Sequence, residues 1–162
     1  MATDAEVAAL ASAVRLRIIR LTHQRPLTNR EIATRLDRDP ATTLHHVRKL
    51  VDTGFLEALP ARRGNRGARE IPYRSTGRSW TLDDPAEAHS PVAEAILQAF
   101  LAEVAAVDFA DLRQSRLVVQ VDQAGRDELS RRIGEVLDDF ASRPLAPGEP
   151  RTAVYVSFYP GE

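Results

Sequence analysis

Thr42, His45, His46 and Lys49 are the residues of this chain whose types and spacing could do specific chemistry. At about 100° per residue they share one side of a helix, opposite Leu44, Val47, Leu50 and Val51. Imidazoles donate or accept hydrogen bonds at base edges, and a lysine donates to guanine O6 or N7. A threonine adds a hydroxyl, and a methyl that can meet thymine. The four residues are therefore candidates for reading bases in a major groove. Thr43 and Arg48, beside them, are candidates for phosphate contacts. An ordinary solvent face would have the same composition, so the case depends on what surrounds this helix.

Other chemistry finds little support. The chain has no cysteine, which excludes disulfides, thiolate metal sites and a thiol nucleophile. His45 and His46 are adjacent and diverge on a helix. His23 and His89 are isolated, and no His-x-x-x-His pair occurs. No glycine-rich phosphate loop follows a strand, and no Gly-x-Ser-x-Gly is present. The acidic pairs Asp83-Asp84 and Asp138-Asp139 are adjacent, which does not make a catalytic dyad. The expectation is a protein with no catalytic residues, no metal and no cofactor.

Charge is the strongest bulk signal. The net charge of the 162 residues is -1. Residues 1–82 hold 15 Arg and Lys against 8 Asp and Glu, and residues 83–162 hold 7 against 15. A basic half of net +7 beside an acidic half of net -8 suggests that one half meets a polyanion. Lys49 is the only lysine, and arginine suits phosphate and guanine recognition because its planar fork donates paired hydrogen bonds. No apolar run is long enough to span a membrane, and the N-terminus lacks a basic, apolar leader. A cytoplasmic protein without membrane contact is expected.

The elements that would position these residues are legible. Val7, Leu10, Val14, Ile18 and Leu21 predict a first helix over roughly residues 5–22. Thr28 and Glu31 form a capping box, with Leu27 and Ile32 as a hydrophobic staple, and start a helix over 29–36. Asp39 and Pro40 start the next, which Gly54 ends. Two helices joined by so short a turn form a helix-turn-helix. Strands are expected at 55–59 and 70–75, the second with Pro72 at an edge or bulge. Between them, Arg62, Arg63 and Arg66 lie in a basic, glycine-containing wing suited to a narrow minor groove.

Residues 83–91 read as a linker. Beyond it, Ala93, Leu97, Phe100, Val104 and Val107 form a short heptad seam, with Leu97, Phe100 and Val104 as the expected dimer interface. A β-rich run at 117–121, a helical stripe from Leu129 to Phe140 and an alternating run at 153–158 complete an α-β-α-β pattern. The expected architecture is α+β: a winged helix-turn-helix domain over 1–84, then a small dimerisation region over 85–162.

Pro40-Ala41-Thr42-Thr43-Leu44-His45-His46-Val47-Arg48-Lys49-Leu50, followed by Val51-Asp52-Thr53-Gly54-Phe55-Leu56, resembles the recognition helix of the bacterial ArsR-like winged-helix repressors. Tyr73-Arg74-Ser75-Thr76 resembles the end of their wing, and the likeness covers about residues 8–82. It implies a homodimeric repressor on a palindromic operator in double-stranded DNA. Two departures stand out. Leu44 replaces the serine common before the His-His pair, and residues 28–36 lack the metal sensors' cysteine motif. Two other readings stay open: a winged helix used for protein–protein contact, and a regulator with a small-molecule effector pocket in the C-terminal half, where Phe100, Phe140 and Tyr155 could line it.

Overall fold

The structure, a computed structural model, describes residues 2–23, 25–64, 68–80, 91–144, 146 and 148–160. Two compact units divide the chain, Met1–Val107 and Asp108–Glu162. The first holds helices α1 (Asp4–Leu10), α2 (Ala13–His23), α3 (Asn29–Leu36), α4 (Pro40–Asp52) and α5 (Pro91–Val104). Its strands are β1 (Leu27–Thr28), β2 (Leu56–Ala58), β3 (Arg62–Arg63), β4 (Arg69–Glu70) and β5 (Pro72–Ser75). This is the mixed helix and small-sheet architecture of a winged helix-turn-helix.

The single first helix expected over 5–22 is in fact two. Thr3 caps α1 in a capping box with Glu6, and the chain leaves the helix at Ala11. The half-buried Arg15 donates to the carbonyls of Ala8 and Ala9, so it satisfies groups that the break leaves without helical partners. The apolar period continues across the break because both helices cover the same core, which is why periodicity alone did not show it.

The helix-turn-helix forms as its capping residues dictate. Thr28 and Glu31 close the capping box of α3, and Asp37 ends that helix in the left-handed region at φ 51°. Asp39 caps α4, with Pro40 in its first turn. Asn29 donates from Nδ2 to the Pro40 carbonyl at 2.8 Å, tying the start of one helix to the start of the next. After α4, Gly54 adopts φ +75°, and the amides of Gly54 and Phe55 return to the carbonyls of Val51 and Leu50. This is a Schellman ending. It turns Phe55 and Leu56 into a core shared with Leu10, Ile18, Leu27, Ile32, Val47 and Leu50.

The sheet has the order β1-β5-β2, antiparallel throughout, with Leu27 opposite Tyr73 and Leu56 opposite Ser75. Pro72, expected at an edge or bulge, is instead the first residue of the central strand. There its carbonyl still accepts from Leu59, and the missing amide costs no inner ladder bond. β3 and β4 form a separate two-stranded ladder, which is the wing.

α5, expected at the start of the C-terminal region, packs within the first unit. Its small residues Ala95 and Ala99, with Val92, are buried, and Glu103 pairs with Arg20 of α2 at 2.5 Å. The expected linker lies, apart from Pro91, outside the described residues.

The second unit holds a 3₁₀ turn at Phe109–Asp111 and one long helix, α6 (Gln123–Ser142), capped by Asp122. The strands expected at 117–121 and 153–158 are absent from the described residues. A strand exists only as part of a ladder, and neither run joins a sheet among the described residues. The α6 stripe is helical as expected, yet Val136 and Phe140 are exposed.

Candidate nucleic-acid interface

α4 turns one face to the core and the other to solvent. Thr43, Val47 and Leu50 are fully buried. Thr42, His45 and Arg48 are exposed, and Lys49 is half-buried. The outward face therefore centres on His45, with Arg48 on one side and Lys49 and Thr42 on the other.

Two expected residues take other positions. Thr43, expected at a phosphate, is 0% exposed and donates its hydroxyl to the Asp39 carbonyl at 2.9 Å. It stands opposite the outward face, so its work is inside the helix-turn-helix. His46 is half-buried at the rim, with Nδ1 3.5 Å from Nη1 of Arg15. Its ring stands edge-on to His45, centroids 6.0 Å apart. Burial, then the charges of Arg15, His45 and Arg38, hold the His46 imidazole below its ordinary pKa of 6.5. The contact with Arg15 links α4 to α2.

The wing is docked on α3. Arg62 Nη2 lies 3.3 Å from Glu31 Oε2. That same oxygen accepts the Thr28 amide at 2.7 Å. The Glu31 carboxyl is held below its ordinary value of 4.5, chiefly by the Thr28 amide, with Arg62 and Arg35 adding to the effect. Gly64 lies against the Glu70 side chain, which would have to swing aside for any Cβ at that position. Arg63 is exposed beside it. Arg66, expected at the wing tip, lies outside the described residues.

Between wing and α3 runs an open groove of about 940 Å³, lined by Arg30, Arg35, Arg62 and Arg63 together with Glu31 and Glu70. Arg30 and Arg35 were not singled out from sequence. They flank the buried side of Ile32, Ala33 and Leu36 on the α3 wheel and are exposed, and that is where the signal was. Four guanidiniums against two carboxylates give this groove a net positive lining.

Residues 10–57, from the end of α1 through β2, match the family described as "Helix-turn-helix domain". The chain carries a helix-turn-helix. Among solved structures, reduced HlyU from Vibrio cholerae is similar at 18% identity and a TM-score of 0.36, over 60% of this chain and 84% of that one. A ZitR mutant from Lactococcus lactis, in its apo form, is similar at 16% identity and a TM-score of 0.37, over 82% and 86%. No curated protein matches the chain. Among the described residues, no cluster of three or more His, Asp or Glu could hold a metal ion, and no helix is long and apolar enough to cross a membrane.

Proposed function

We propose that this protein is a sequence-specific DNA-binding transcriptional regulator, an ArsR-like homodimeric repressor that reads a palindromic operator. The observation that carries the reading is the outward face of α4: His45, Lys49, Thr42 and Arg48 stand together on a capped second helix of a helix-turn-helix. Such a helix enters the major groove with its exposed side chains at base edges. Arg30, Arg35, Arg62 and Arg63 flank it and would take the phosphates on one side, fixing register while α4 supplies selectivity.

The homodimer is supported by the two-faced character of α5. Its small residues Ala95 and Ala99 are buried, while Leu97 and Leu101 are 42% and 48% exposed. Phe100 and Val104 are half-buried on the same outward stripe. A helix that turns its bulkiest residues to solvent is built to meet another surface. A second copy would place two α4 helices one DNA turn apart, about 34 Å, on an inverted repeat.

Duplex binding titrated against salt tests the reading. Affinity should fall steeply as salt rises, because each neutralised phosphate releases a counterion. Salt-independent binding, or none from a folded dimer, would favour use of the basic surface against a protein partner.

A further inference from the structure

The second unit is unfinished. No described residue of 108–160 is buried. Leu117 and Val118 are 78% and 74% exposed, and Val119, Val121, Val154 and Phe158 are exposed as well. With the exposed α6 residues Val136 and Phe140, these side chains present on the order of 1,000 Å² of apolar surface, taking roughly 150–250 Å² for each whole aromatic. A standard protein interface needs roughly 800 Å² per partner. A unit of this size does not hold itself together without a buried core.

We propose that residues 117–121 pair antiparallel with the same residues of a second copy, with the two-fold axis at Val119. The inference rests on the homodimer reading above and adds a contact distinct from the α5 stripe. The sequence Arg116-Leu117-Val118-Val119-Gln120-Val121-Asp122 is self-complementary in this register. Leu117 falls opposite the partner's Val121, and Val119 opposite the partner's Val119. One face of the pair is then wholly apolar, because Leu117, Val119 and Val121 alternate onto it. Arg116 falls opposite the partner's Asp122, so each end closes with opposite charges. Like charges would meet if the same strands paired in parallel. The run at 153–158 lacks this property: centred on Val156, it sets Thr152 opposite Pro160 with no charge pair. Pairing would also give ladder bonds to backbone that has none among the described residues, the open-edge condition that strand addition relieves.

The absence of native cysteine makes the test clean, since one introduced thiol is the only thiol. In the full chain, Val119→Cys puts two sulfurs across the axis, with Cα atoms about 4.5–5.5 Å apart, inside disulfide range. Leu117→Cys puts them four residues out of register, roughly 14 Å apart, where no disulfide forms without backbone movement. Under mild oxidation Val119→Cys should cross-link as a dimer at least roughly tenfold faster than Leu117→Cys. Equal rates, or no cross-link at 119, would overturn the pairing. So would an intrachain bond in Val119→Cys/Val156→Cys, which would mean that the chain pairs with itself. The same proteins are tested for selection of a duplex sequence. Selective binding without the 119 cross-link removes this contact and leaves the regulator reading intact. A cross-linked dimer that selects no sequence does the reverse.

Discussion

The Glu31 carboxylate stands 3.3 Å from the Arg62 guanidinium while it closes the capping box of α3 with Thr28. One side chain thus fixes both a helix start and the wing. The two contributions differ in size. Both partners of the ion pair are substantially exposed, so the pair contributes at most about 1 kcal/mol. Thr28 is buried, and Thr28→Ala should cost about 1 kcal/mol of stability in denaturant titration, as the loss of an N-cap does. Arg62→Ala should leave the denaturation midpoint nearly unchanged and lower the salt slope of duplex binding by about 1.

Stability should fall with acid in two separate windows. His46 is held below 6.5, so the folded state binds its proton less well than the unfolded chain does. Its contribution is present above 6.5 and is lost as pH falls from there through the lower folded value. Glu6, Glu31 and Asp39 are depressed by capping hydrogen bonds to Thr3, Thr28 and Thr42. Their contributions are present above about 4.5 for the glutamates and 3.8 for Asp39, and are lost only at lower pH. Thermal melts of His46→Asn should lack the first window and keep the second.

Thr43 and Arg48 should separate cleanly. Thr43→Val keeps the shape and removes the bond to the Asp39 carbonyl, at a cost of about 1 kcal/mol in stability with the salt slope unchanged. Arg48→Ala should leave stability within about 0.5 kcal/mol and reduce the salt slope. An unchanged salt slope in Arg48→Ala would remove this residue from the interface.

These pairs show what the sequence could and could not tell. The helix-turn-helix was legible because its signals are local: Thr28 with Glu31, Asp39 with Pro40, and Gly54 each act within one turn of chain. The burial of Thr43 was legible as well, since it lies four residues before Val47 and seven before Leu50 on the apolar side of the α4 wheel, where its hydroxyl bonds back into its own helix. The break at Ala11 depends on Arg15 reaching carbonyls six and seven residues back. The runs at 117–121 and 153–158 read as strands because β-branched residues favour sheets, but composition does not say which chain supplies the neighbour.

α5 offers a test of assembly. Leu97→Asp with Phe100→Asp should weaken dimerisation in sedimentation with helix content retained, because the buried side of α5 is Val92, Ala95 and Ala99. Duplex affinity should fall as half-sites are no longer bound together. A folded dimer of unchanged affinity would exclude the stripe from the interface.

Base reading by α4 is decided by selection from a randomised duplex pool. The wild-type protein is compared with a folded His45→Ala/Lys49→Ala variant. Each well-made base contact contributes about 1–3 kcal/mol of discrimination. An enriched inverted repeat is expected with the wild type and lost in the variant, with nonspecific, salt-sensitive binding remaining. The same repeat enriched by both proteins would contradict base reading by α4.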